Sequence, residues 1–404
     1  MKRGVLVIIS LVLGVLLTAS SFVFAKPIKI GAVYILSGAF ATYGQFARNG
    51  IELAVDEINA KNGILGRKVE VLFEDSKAKP AVALRAFRKL VYEEEVDFLV
   101  GLDSSGVALG VVPTLPELGK ILIITHAATP DVTGKKCNRY AFRISVNLNQ
   151  NIGAAARIAT KTGAKRWTTI GPDYAFGHQS WEYFQRYLKK LMPDAVFMDK
   201  VAFPKLATED YSSFITSIMD ANPEGVLISL WGGDLVNFVR QARDYGFFDK
   251  GYKILMTLGA ATEVLYALGD KMPEGLWVGT RYWFLANPSQ VNKKFVEAYK
   301  SRFKAYPSYN AQNAYTAIYT LKAAIEKAKS TDTAKVIRAL EGLRMEAPVG
   351  KFYIRPGDHQ AVLDVTWGKT ASDPNYPIRI LKPIVIFKGK EVTPPVAETG
   401  CVMK

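Results

Sequence analysis

The stretch "IKIGAVYILSGAFATYGQFARNGIELAVDEINAKNGILGRKVEVLFED" (28–75) decides the fold. Its opening, "IKIGAVYI" (28–35), is a short run rich in β-forming residues. Over 43–63 the period changes. Phe46, Ala47, Ile51, Ala54, Val55 and Ile58 recur on one helical face, and Asn62-Gly63 ends the helix with residues that tolerate positive φ. "RKVEVLFED" (67–75) is then a second strand. Strand, amphipathic helix and strand in so short a span predict a parallel sheet covered by helices.

The same rhythm continues along the chain. Pro80 opens a helix running to about Glu94, where its missing N–H costs nothing. "VDFLVG" (96–101) and "ILIIT" (121–125) read as strands, with a helix over about 105–118 between them. A second series begins near 147. Its strands are "RWTTIG" (166–171), "AVFMDKVAF" (195–203), "GVLISL" (225–230) and "KILMT" (253–257), separated by helices at about 177–191, 210–221, 234–245 and 262–268. Asp210 before "YSSFI" is read as a helix cap. Helices at about 289–304, 309–328 and 332–342 follow, then strands at 350–354, 361–368 and 378–387 and a Pro-rich tail, "TPPVAETGCVMK". Two successive α/β series of similar size predict two lobes, and the lack of a short tandem repeat argues against a solenoid.

The chain has 404 residues, 49% of them hydrophobic, which excludes bulk disorder. Lys2 and Arg3 precede the apolar run "GVLVIISLVLGVLL", and Val23-Phe24-Ala25 offers small residues at a cleavage site. Residues 1–25 therefore read as a secretory signal peptide, with an uncleaved anchor as the rival. Removing Lys2 and Arg3 takes the formal charge from +15 to 15 − 2 = +13. The cations are scattered over helix faces rather than gathered in a run, so nucleic acid is not the expected partner. Cys137 and Cys401 are the two cysteines. In an oxidising compartment a disulfide tying the tail to the body is expected, against two inert buried thiols. No CxxC or HxxxH spacing points to zinc, and no dinucleotide or phosphate-loop motif points to a cofactor.

The stretch "DFLVGLDSSG" (97–106) tests for an enzyme. No Gly lies two residues before Ser104 or Ser105, so it is not a nucleophile elbow, and none of His126, His178 and His359 is paired with a nucleophile by motif. The other reading uses the strand end. In an open α/β sheet ligands sit beyond the carboxyl ends of the strands. Hydroxyls and helix amides at "GLDSSG", with Thr129 in "THAATP" (125–130), form a seat for a carboxylate, or else simply cap turns.

The long run from Ile28 to Val91 resembles the branched-chain amino-acid type of periplasmic solute-binding protein, the receptor of an ABC importer. "ITHAATP", "GPDYAFGHQSWEYF", "DYSSFITSIMDANPEGVLIS" and "VRQARDYGF" continue the resemblance in order, so that it covers the mature chain. It implies the type I periplasmic binding fold, two Rossmann-like lobes joined by three crossover strands. The crossings are expected near 143–147, 279–284 and 355–358. That gives lobe one as 26–145 with 282–355, and lobe two as 146–281 with 356–404. The resemblance also implies a monomer that takes a small ligand between its lobes, undergoes hinge closure and docks on a membrane permease, with no cofactor or metal. Carried over, the ligand contacts fall on Tyr43, Ser104, Ala127 and Thr129 in lobe one, with Ser105 as a neighbour. From lobe two come the aromatics Phe176 and Trp231, with Tyr174 and Tyr282 as rims. The two hydroxyls and the Ala127 backbone are implied to hold a carboxylate.

The departure from the pattern bears on the ligand. Amino-acid binders of this type place an acid after the strand matching "KILMT" to pair with the ligand ammonium. Here Gly259 stands there, and "SVNLNQN" (145–151) lacks a second family acid. A buried, unpaired ammonium is costly. The expected ligand is therefore a hydrophobic amino acid whose ammonium finds Asp103 or Glu263, or a carboxylate without an amine. Amides, urea and aromatic acids bound by a sensor protein form the alternative, and a secreted hydrolase using Ser104 or Ser105 is the enzymatic rival.

Overall fold

The computed structural model describes residues 26–403, so the signal-peptide reading lies outside the described residues. Strands β1 (Ile28–Tyr34), β2 (Val69–Asp75), β3 (Phe98–Gly101), β4 (Leu122–Ile124) and β5 (Ala141–Arg143) form one parallel sheet in the order β2-β1-β3-β4-β5. Apart from the edge strand β2, both faces are buried, as is usual for parallel sheets. Ile28, Ile30, Ala32 and Tyr34 join the core beneath helices Ala41–Asn59 and Tyr309–Ala328. Val33 and Leu99 join the opposite core, beneath helices Pro80–Tyr92 and Ser105–Val111.

The second sheet holds β6 (Arg166–Ile170), β7 (Val196–Phe197), β8 (Gly225–Ile228), β9 (Lys253–Met256) and β10 (Trp277–Thr280), parallel to one another. A small antiparallel sheet follows in the chain: β11 (Arg344–Ala347), β12 (Gly350–Ile354) and β13 (Ala361–Val362). Strands β14 (Val365–Ala371) and β15 (Ile380–Phe387) then extend the second sheet antiparallel to β10, giving β15-β14-β10-β9-β8-β6-β7. The expected two-lobed α/β architecture is the observed one.

Several expected elements differ in detail. The strand expected over 195–203 shrinks to β7 and one bridge between Ile170 and Ala202. The strand expected over 361–368 breaks into β13 and β14. The helix expected over 105–118 is three pieces, Ser105–Val111, Val112–Thr114 and Leu115–Leu118, with Pro113 and Pro116 at the starts of the second and third. A proline cannot donate within a helix but fits its first turn. Asp210 accepts from the Ser212 N–H, but Tyr211 is the residue at the cap position.

The lobes meet at a buried polar knot. Arg143, at the end of β5, donates to Gln360 Oε1 at 2.6 Å, to the Ala127 and Thr129 carbonyls and to the Thr133 hydroxyl. Gln360 in turn donates to the Ser145 and Ala361 carbonyls. Cys137 and Cys401 form a disulfide. The tail therefore leaves lobe two at helix Gly389–Val392, passes the Arg355 guanidinium, which donates to the Pro394 carbonyl, and ends on the lobe-one loop that carries Cys137.

Candidate functional site

The carboxyl ends of the two sheets face each other. After β3 the chain turns through Leu102 and Asp103 into the helix that begins at Ser105. After β4 it runs through Thr125–Thr129, whose carbonyls at Ala127 and Thr129 are held from below by Arg143. Lobe one contributes Tyr43, Asp103, Ser105, Ala128 and Tyr309 to the wall of a small cavity. Tyr174, Phe176, Trp231 and Leu258 close it from lobe two, each just beyond a parallel strand or at a helix start. Arg281 completes the wall from the connection that follows β10.

The aromatic side chains interlock across the cleft. Trp231 stacks on Phe40 with ring centroids 4.2 Å apart and meets the edge of Tyr43 at 5.3 Å. The Tyr43 hydroxyl accepts the Gly232 N–H at 3.2 Å, tying the first turn of helix Gly232–Asp244 to lobe one. Tyr309 stands edge-on to Tyr43 at 6.0 Å. Burial pushes the Tyr43, Tyr174 and Tyr309 hydroxyls well above the ordinary phenol range, so all three are neutral donors. The cavity between these rings is only about 10 Å³, room for one water.

The polar groups differ in part from the sequence expectation. Ser105 is in the wall, and its hydroxyl oxygen accepts the Thr129 N–H at 3.0 Å. Ser104 lies one position back, at the helix cap and against Tyr174. Ala127 is committed elsewhere: its N–H donates to the Leu102 carbonyl and its own carbonyl accepts from Arg143. The Thr129 hydroxyl accepts the Asp131 N–H and caps the turn Pro130–Thr133. Tyr282 is not brought to the cavity, because its hydroxyl donates to Asn292 Oδ1 at 2.6 Å in lobe one.

Of the two candidate acids, Asp103 reaches the wall and Glu263 does not. Asp103 accepts the Ile35 N–H at 2.7 Å through Oδ2, and its Oδ1 is 3.1 Å from His126 Nδ1. Glu263 is buried behind the wall and accepts from the Asn310 amide. Burial pushes its carboxyl up to about 7. At Gly259, where the resemblance implies an acid, an added side chain would lie 2.7 Å from Val278 Cγ1 and 2.9 Å from Met256 Cβ, so these packed side chains would have to move to admit one.

Arg281, Tyr309, Ala128 and Leu258 are wall residues that sequence reasoning missed. The signal for Arg281 was present. It directly follows "WVGT", a strand of four residues, and a cation at a carboxyl strand end falls where ligands sit. Among the described residues no group of three or more His, Cys, Asp or Glu side chains is placed to hold a metal, and no helix is long and apolar enough to cross a membrane.

Two α/β lobes with an aromatic cleft between facing strand ends define a type I periplasmic binding fold. The chain belongs to the periplasmic binding protein family, whose pattern it matches over residues 27–373. It is 28% identical over 353 residues to Leu/Ile/Val-binding protein homolog 6 of Brucella melitensis biotype 1, covering 85% of this chain and 87% of that one. Among solved structures it is similar to an amino acid ABC transporter substrate-binding protein of Pseudomonas fluorescens Pf-5, with a TM-score of 0.82, 26% identity and coverage of 94% and 99%. A solute-binding protein of an ABC transporter from Rhodopseudomonas palustris BisB5, solved in complex with 3,4-dihydroxybenzoic acid, superposes with a TM-score of 0.81 at 25% identity, covering 90% of this chain and 98% of that one.

Proposed function

We propose that the protein is the extracytoplasmic receptor of an ABC importer, closing its lobes over a small carboxylate with an apolar or aromatic body. The observation that carries this reading is the cavity wall. Tyr43, Tyr174, Phe176 and Trp231 converge from both lobes on a polar end made by Ser105, Asp103 and Arg281. Apolar walls with a few placed polar groups are the usual form of a small-molecule site. Two ligand classes fit. A branched-chain amino acid is supported by the name of the Brucella relative, with Asp103 facing the ammonium. An amine-free acid is supported by Gly259 at the acid position and by the ligand of the Rhodopseudomonas protein.

A cavity of about 10 Å³ holds neither ligand, so capture requires the lobes to part and Trp231 to leave Phe40. Closing then buries the ligand, and the closed face docks on the permease. The protein transforms nothing, works as a monomer and is exported by cleavage of residues 1–25. The lobes divide as 26–145 with 282–355, and 146–281 with 356–404. A thermal-shift screen over hydrophobic amino acids, 2-oxo acids, aromatic acids and amides tests this reading, since a ligand that binds the native state raises apparent stability. Acids or amino acids should raise the melting temperature. A response to amides and urea alone would sink it.

A further inference from the structure

We propose that Arg281 is the anchor for the ligand carboxylate and that the His126–Asp103 pair beside it excludes an α-ammonium, so that the ligand is an amine-free organic acid. The proposal rests on the carboxylate reading above and goes further by choosing between its two classes.

Arg281 is 5% exposed and lines the cavity. One guanidinium N–H donates to the His126 carbonyl, and the group lies 5.0 Å from the Tyr309 ring centroid. Among the described residues it forms no ion pair. A buried cation without a counter-charge is costly, and it is tolerated where function supplies the anion. The surroundings add positive charge rather than a counter-charge. Arg143 is a second buried guanidinium, pulled down to about 9 by burial and by the charge of Arg281. A planar guanidinium with free N–H groups facing the cleft matches a carboxylate in two-point geometry.

Asp103 is the one acid in the wall, where its Oδ2 takes the Ile35 N–H and its Oδ1 faces the His126 ring. His126 is 2% exposed, and its Nε2 stands 3.0 Å from the Asn310 carbonyl oxygen. A carbonyl only accepts, so Nε2 carries a proton. The other nitrogen, Nδ1, faces Asp103 Oδ1 at 3.1 Å and the Thr125 hydroxyl at 3.0 Å. Asp103 is thus turned to the ring and to the backbone at Ile35 rather than offered to a ligand. An ammonium brought here would meet the Arg281 guanidinium, which is the like-charge arrangement that rejects a partner.

The test compares matched probes by calorimetry and thermal shift: leucine against 4-methyl-2-oxopentanoate, and benzoate against benzamide. Wild type should bind the acids and neither leucine nor benzamide. Arg281→Gln should weaken the acids about 10- to 100-fold, the size of a charged hydrogen bond. The ligand-free Gln variant should melt at or above wild type, because a buried unpaired charge is gone; a merely structural arginine would give the opposite. Arg281→Lys, which keeps the charge, should retain part of the affinity. Unchanged acid binding in Arg281→Gln would overturn the anchor, and leucine binding as tightly as its oxo acid would overturn the exclusion of the amine. If benzamide bound and no acid did, the carboxylate reading of the site would itself fall.

Discussion

Glu263 enters the interface between lobes from helix Thr262–Leu268 and meets Asn310 of lobe one. Its Oε2 is buried with no hydrogen-bond partner, and burial raises its pKa from the ordinary 4.5 to about 7. A raised carboxyl means that the closed, folded protein holds a proton the unfolded chain has released. The sign follows from linkage: stability falls as pH rises from about 4.5 to about 7 and levels off above. Asp234, raised by burial to about 7, adds a slope of the same sign. Glu263→Gln should therefore flatten the decline of melting temperature between pH 5 and pH 8, by on the order of 1.4 kcal/mol per unit of lost shift. An unaltered slope would show that Glu263 does not titrate there. Neighbouring serines illustrate what a single residue hides. The stretch "DSSG" announces a hydroxyl at a strand end, but the helix begins at Ser105, and one residue of helix turns the side chain by about 100°. Which serine faces the cleft depends on that start. Ser105→Ala should cost about 1–3 kcal/mol in denaturant unfolding, since the buried Thr129 N–H loses its acceptor. By contrast, Tyr43 and Phe176 could be singled out because each lies in a long stretch whose order matches the family, and Trp231 because it stands two residues beyond such a stretch, just past a strand.

At the scale of elements, legibility followed length and burial. The strands β1, β3, β6, β8 and β9 are apolar runs bounded by helices, and the alternation of strand and helix is enough to make their sheets parallel. The strands missed are short: β5 has three residues and β10 and β11 have four each. Periodicity carries little information over so few positions. At β10 only a crossing near 279–284 was expected, and without the bounds of the strand Arg281 was not singled out as standing at its end. Helix packing shows the other limit. Helices Ala41–Asn59 and Tyr309–Ala328 are far apart in sequence, and nothing in either pattern predicts that they touch. In the structure they come close enough at Gly50 that a side chain there would lie 2.1 Å from the Ala311 carbonyl oxygen. The contact is to backbone, so no side chain can swing away. Gly50→Val should cost about 1–3 kcal/mol or more, read as a lower urea midpoint with the slope retained. A midpoint within error of wild type would mean that the two helices separate freely.

Across the whole molecule, the chain crosses between lobes close to Arg143 and Gln360, and the tail adds a further tie. From helix Gly389–Val392, which packs on helix Leu148–Thr160, the tail is held in turn by Gln150 at Thr393, by Arg355 at Pro394 and by the disulfide at Cys401. Its two ends thus belong to different lobes. The sequence offered the two cysteines and an oxidising compartment, which is enough to expect a bond, but not the path that makes the bond span the hinge. The path has two consequences. The cross-link joins residues 264 apart, so it restricts the unfolded chain strongly, and removing a native bond of this kind costs about 2–5 kcal/mol. For the opening proposed above, the tail from Thr393 to Cys401 is also expected to limit the separation of Gln150 and Cys137. The double variant Cys137→Ser, Cys401→Ser separates the two effects. Denaturant unfolding should show a loss of that size. Small-angle scattering of the ligand-free protein should show a larger radius of gyration than the oxidised wild type, and ligand should return both proteins to the same closed size. If the variant lost stability while the ligand-free dimensions stayed the same, the tail would be a fastening for the unfolded chain alone, with no part in setting how far the cleft opens.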